Sequence, residues 1–148
     1  MENIHLEFEV RGGGYDPMAN PMPKLKLTGK QAWLPRVQNY VEWKEHVQAA
    51  FVDALKAYDA ELGKVAEQRW ANGEKPLDTG KHPMQMHIHI YWRGDAHADP
   101  ENVFGSIADA IFHNDKYLAL KVDYTHQPKT AEPYVTILIK PYATITRK

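Results

Sequence analysis

The chain has 148 residues, of which 43% are hydrophobic and 25% charged, with a formal net charge of -1. These values fit one globular domain spanning residues 1–148 around a single core, and they exclude disordered and fibrous classes. The absence of cysteine excludes disulfide scaffolds, thiolate zinc sites and cysteine nucleophiles, and is consistent with a cytoplasmic protein. The start, Met1-Glu2-Asn3-Ile4-His5, lacks the basic and apolar regions of a signal peptide, and no apolar run is long enough to span a bilayer. The expectation is therefore a cytoplasmic location with no membrane association. A charge near zero means that any nucleic-acid contact has to come from a local patch.

Ile4, Leu6, Phe8 and Val10 alternate with His5, Glu7 and Glu9, which predicts a half-buried first strand. The glycines at 12–14 break it, and prolines at 17, 21, 23 and 35 keep the chain extended or looped up to Arg36. The glycine run is no phosphate-binding P-loop, because Gly14 leads into Tyr15 and Asp16 rather than into a Gly-Lys-Ser/Thr ending. No acidic residue lies between Asp16 and Glu42, whereas Lys24, Lys26, Lys30, Arg36 and Trp33 do. This basic, proline-rich loop, residues 11–35, reads in two ways: as a solvated surface loop, or as a set of phosphate contacts with an aromatic stacking face. The terminal Lys140, Arg147 and Lys148 read as a tail.

From Arg36 to about Leu62, Val37, Tyr40, Val41, Val47, Phe51, Ala54, Leu55, Tyr58 and Leu62 recur at three and four, predicting one long amphipathic helix. Lys44, Glu45, Gln48 and Lys56 mark its polar face, and Trp43 lies on the fringe of the stripe as a packing residue. The polar stretch from Gly63 to Pro83 extends the helix through Trp70 or becomes a loop. Met84 to Trp92 predicts a second strand, with Met84, Met86, Ile88 and Ile90 on one face and Gln85, His87, His89 and Tyr91 on the other. His87 and His89, with His82 or His97, suggest a zinc site, but the reading of polar residues on the wetter face of a strand is favoured.

Phe104, Ile107, Ala108 and Ile111 predict a shorter amphipathic helix running to about Phe112. Its start is explained locally by Asp99 as N-cap, Pro100 at the first position and Glu101 at the positive end of the dipole. Residues Tyr117–Tyr124 and Tyr134–Ile139 predict two further strands, joined as a hairpin through Thr125–Pro133. Asp99, Glu101 and Asp115 bracket the shorter helix, and hard carboxylate oxygens without cysteine are what Mg²⁺ prefers. On one straight helix Glu101 and Asp115 would stand roughly 20 Å apart at ~1.5 Å per residue. They can share a cation only if the helix ends near Phe112 and the chain folds back, or if a second subunit supplies the third acid.

Three blocks in order resemble the RusA family of Holliday junction resolvases over most of the chain. The first is the loop Pro21-Met22-Pro23-Lys24 to Pro35, leading into Tyr40-Val41-Glu42-Trp43-Lys44. The second is Asp99-Pro100-Glu101-Asn102-Val103, similar to the family's Asp-x-Asp-Asn-Leu motif, followed by Ile107-Ala108-Asp109-Ala110-Ile111, similar to its Asp-Ala-Leu helix. The third is Asn114-Asp115, at the place of an Asp-Asp pair. The resemblance implies a homodimeric, Mg²⁺-dependent endodeoxyribonuclease that cuts branched DNA in recombination and repair. It implies Asp99, Glu101 and Asp115 as catalytic metal ligands, with Asn102 orienting a carboxylate or donating to a phosphate. Gly105 stands where the family has a lysine, and Lys116, Lys24 or Lys26 are the candidates to supply that charge. Lys24, Lys26, Lys30, Arg36, Trp33 and Lys116 are the expected DNA contacts. The fold expected is α/β (α+β): a mixed four-stranded sheet packed by one long and one shorter helix. Two alternatives stay open, a catalytically weak or inactive DNA-binding relative and an interaction domain whose acids are only caps.

Overall fold

Alternation decides which side of the sheet is covered. In a computed structural model, which describes residues 4–14, 16–24, 35–77, 83–95, 98–112 and 118–141, the strands are β1 (Leu6–Arg11), β2 (Met84–Arg93), β3 (Leu118–Gln127) and β4 (Tyr134–Pro141). Met84, Met86, Ile88, Ile90 and Trp92 of β2 and Val135, Ile137 and Ile139 of β4 are fully buried, while the residues between them are half-buried. Of the three helices, α1 (Pro35–Tyr58) and α3 (Pro100–Ile111) pack on the apolar face, and α2 (Ala60–Ala71) packs against α1. Leu6, Val10, Tyr40, Trp43, Val47, Phe51, Leu55, Ile107 and Ile111 complete one continuous core between the two layers. No helix of the described residues is long and apolar enough to cross a membrane.

The strands form one mixed four-stranded sheet in the order β1-β4-β2-β3, so the α+β expectation holds. β4 is antiparallel to both β1 and β2, and β3 is parallel to β2. The expected hairpin between β3 and β4 is therefore wrong. β4 inserts between β1 and β2, which gives its inward residues Val135, Ile137 and Ile139 neighbours on both sides. β3 takes the edge, and Leu120 and Tyr124 there remain about half exposed, at 48% and 49%.

The one long helix is also corrected. Asp59 leaves the helical region at φ -157°, ψ 109°, and its Oδ1 accepts hydrogen bonds from the amides of Glu61 and Leu62, capping a separate α2. An Asp in that conformation satisfies amides that the first turn of a helix leaves without partners. Gly63 then lets α2 lie close against α1, because a Cβ there would stand 2.6 Å from the Cα of Lys56. The helices thus number three among the described residues rather than one long and one shorter. Within α1 the buried stripe includes Trp43, which is fully buried, whereas Val41 is 40% and Tyr58 48% exposed.

α3 ends at Ile111, and Phe112 caps it in an extended conformation at φ -102°, ψ 135°. It is the crossover between the parallel strands β2 and β3, so its start lies towards the Arg93 end of β2. The first residue of β3, Leu118, pairs with Met84 at the opposite end of that strand. Leu77 donates to the carbonyl of Ile111 at 2.9 Å and fixes the C-terminal end of α3 beside the approach to β2.

Candidate functional site

The segment from Gly12 to Lys24 is what joins the two regions singled out in the sequence. Gly12 and Gly14 have φ of 72° and 120°, values that only glycine adopts easily. A Cβ at Gly13 would meet the carbonyl oxygen of Asn20 at 2.1 Å, so the loop closes tightly on itself. Its further course is pinned at three places. The amide of Arg93 donates to Asn20 Oδ1 at 2.8 Å, and its Nε donates to the carbonyl of Met18 at 2.6 Å. The hydroxyl of Ser106 donates to the carbonyl of Met22 at 2.7 Å, with that of Val103 also within reach. The amide of Lys24 donates to the carbonyl of Asn102 at 2.9 Å.

Ser106 is fully buried, and it also accepts a hydrogen bond from Trp43 Nε1 at 2.9 Å. One hydroxyl therefore connects α1, α3 and the proline-rich segment. Gly105 adds a packing contact. A Cβ built there would stand 3.7 and 3.8 Å from Cδ and Cβ of Lys24, ordinary van der Waals contact. The stem of Lys24 lies over the helix at the position where a longer residue would project.

Asp99 caps α3, its Oδ1 accepting from the amide of Glu101 at 2.9 Å, with Pro100 in the first turn. Asp99, Glu101 and Asn102 are all exposed at this end. Asp115, Lys116, Lys26, Lys30 and Trp33 lie outside the described residues, as do His82 and His97. Arg36 is described, exposed in the first turn of α1, a turn without an acidic residue. Among the described residues no group of three or more His, Asp or Glu stands close enough to hold a metal ion. Exposed carboxylates at Asp99 and Glu101 are suitable hard donors for Mg²⁺, and the third expected ligand is the undescribed Asp115.

The strand histidines are held apart by separate partners. His87 Nε2 lies 2.9 Å from Asp123 Oδ2, and His89 Nε2 lies 2.7 Å from Thr125 Oγ1, both across the β2–β3 ladder. His89 stacks on Tyr91 and Tyr91 on Tyr134, with centroids 4.3 and 4.4 Å apart, and Arg11 lies over the Tyr134 ring at 4.5 Å. These rings spend their faces on one another, which suits an ordered polar sheet face better than a ligand site.

Further along α3 a second charged centre appears that the sequence reading did not single out. Lys44 Nζ of α1 stands 2.7 Å from Asp109 Oδ2, and Lys75 Nζ, just after α2, stands 3.7 Å from Oδ1 and also donates to the backbone carbonyl of Asp109. Burial pushes the Asp109 carboxyl up, but the Lys44 hydrogen bond and the charges of Lys44, Lys75 and Lys24 outweigh it and hold it below 3.8. Burial, then the neighbouring Lys44, lowers Lys75 below its usual 10.5, and Asp109 offsets only part of this. Asp109 sits inside the Ile107–Ile111 segment and Lys44 inside the Tyr40–Lys44 segment noted in the sequence, so both were legible as positions. Lys75 carried no signal. A cleft of about 270 Å³ between the glycine loop and α1 is lined by Gly13, Asp16, Ala19, Met22, Asn39 and Glu42, and its two acids disfavour an anion.

No protein-family model matches the chain, and comparison with curated proteins gives no match.

Proposed function

We propose that this protein is a RusA-like, Mg²⁺-dependent endonuclease acting as a homodimer on branched DNA. The observation that carries the reading is Lys24, at the start of the basic stretch, seated on the acidic helix: its amide bonded to Asn102 and its stem laid over Gly105. Asp99 and Glu101, one turn away, would hold the cation together with Asp115. Bound there, Mg²⁺ supplies positive charge to a phosphoryl oxygen and a water of lowered pKa. Lys24, whose stem crosses α3 at Gly105, brings positive charge to the side of the helix where Gly105 carries none. Arg36 and the lysines of the loop position the backbone without reading sequence.

Asp99→Asn separates catalysis from folding, because Asn caps a helix as well as Asp does. With synthetic four-way junctions, wild-type protein is expected to nick only when Mg²⁺ is added. Asp99→Asn and Asp115→Asn are expected to abolish nicking while melting close to wild type. Binding without nicking by the wild type would instead support the inactive relative, a reading that Gly105 favours. Neither binding nor nicking would leave the interaction domain.

A further inference from the structure

The charged centre around Asp109 holds more positive charge than its structural duties use. Lys24, Lys44 and Lys75 act on one carboxylate, and Lys75 also faces the last turns of α3 through the Asp109 carbonyl. A helix C-terminus presents about -0.5 elementary charge. Lys44 and Lys75 against one carboxylate and that half-charge leave roughly +0.5 in a partly buried corner, and the exposed Lys24 adds its charge from outside it. The Asp109 carboxylate and the helix end therefore do not use all of the positive charge that the three lysines bring. Side-chain exposures of 21% for Lys44 and 30% for Lys75 leave the corner reachable while weakening its screening by water.

We propose that Lys24, Lys44 and Lys75 form a binding site for a phosphate group, and that its ligand is a DNA backbone phosphate beyond the scissile one. Glu101, Gly105 and Asp109 follow at steps of four along one side of α3, and Lys24 crosses that side at Gly105. The site thus continues the acidic end of the helix by about two turns, ~12 Å at 1.5 Å per residue. An oxyanion there takes donors from ammonium groups that otherwise repel one another, so its arrival relieves a like-charge contact as well as forming new ones. The choice of a DNA phosphate over a free one rests on the nuclease reading above. The site itself does not.

Two measurements keep those apart. Inorganic phosphate titrated into the full chain is expected to raise the melting temperature of wild type but not of Lys44→Gln/Lys75→Gln, in which amide groups keep donors without charge. Anisotropy of a labelled junction across a salt series is expected to show the slope of log K against log salt shrinking by about one for each lysine replaced. Lys44→Arg/Lys75→Arg keeps the charge and should keep the wild-type slope, which guards against a folding defect in the Gln variant. Phosphate stabilisation lost in the Gln variant with no DNA binding by wild type would preserve the site and sink the DNA ligand. Unchanged slope and unchanged phosphate response in the Gln variant would overturn the site and leave the nuclease reading standing.

Discussion

Ser106 has neither charge nor an ionisable proton, yet its hydroxyl is where α1, α3 and the proline-rich segment meet. Removing it leaves the fully buried Trp43 indole N–H without its acceptor, which costs about 1–3 kcal/mol. Ser106→Ala is therefore expected to lower the melting temperature by ~2–4 °C per kcal/mol lost. It should also speed hydrogen exchange at the Lys24 amide, because the neighbouring Met22 tether is gone. Trp43→Phe should cost less in the Ser106→Ala background than in wild type, since there it no longer breaks a hydrogen bond and removes an orphaned donor. A Ser106→Ala protein with wild-type melting and exchange would show that the tether does not hold the segment. Nothing in the sequence marked this residue: a single serine inside an amphipathic helix usually reads as a tolerated polar position. Trp43, by contrast, was legible as a packing residue, and only the depth of its burial was not.

At the scale of elements, periodicity located all four strands and the body of α3, because a period of two or of 3.6 needs only neighbours to be recognised, and the cap at Asp99 marked where α3 starts. It did not locate the break at Asp59, where apolar spacing continues through Leu62 while the backbone turns. The competing signal was local, an acidic residue able to cap a new first turn followed by a glycine that permits close helix packing. Asp59→Ala removes the acceptor for two amides and is expected to destabilise the protein by about 1 kcal/mol, with Asp59→Asn near neutral. Urea midpoints of the two variants check this at constant m-value. Equal midpoints for both would mean that the break is set by packing at Gly63 and not by the cap.

The sheet order could not be read from the chain, because inserting β4 between β1 and β2 depends on contacts between segments more than forty residues apart. Sequential strands pair in most proteins, and here β3 and β4 do not. The same long-range character applies to Asp109, whose partners come from α1 and from the segment after α2. Its effect on the whole molecule shows in the pH dependence of stability. The Asp109 carboxyl is held below 3.8 in the folded chain, so below that value the unfolded state binds more protons and stability rises with pH. The contribution is complete above 3.8 and disappears as pH falls through the lower folded value. Lys75 is displaced in the same direction from 10.5; its charging opposes folding, and that opposition lifts as pH rises from its lowered folded value towards 10.5. Asp109→Asn should thus flatten the acid limb of a stability curve and lower stability near neutrality by about 1 kcal/mol, a value discounted for the solvent that reaches the pair. Lys75→Gln should flatten the alkaline rise and leave the acid limb in place. Urea midpoints across the acid and alkaline ranges separate the two, and an acid limb unchanged by Asp109→Asn would place the acid sensitivity on other carboxylates.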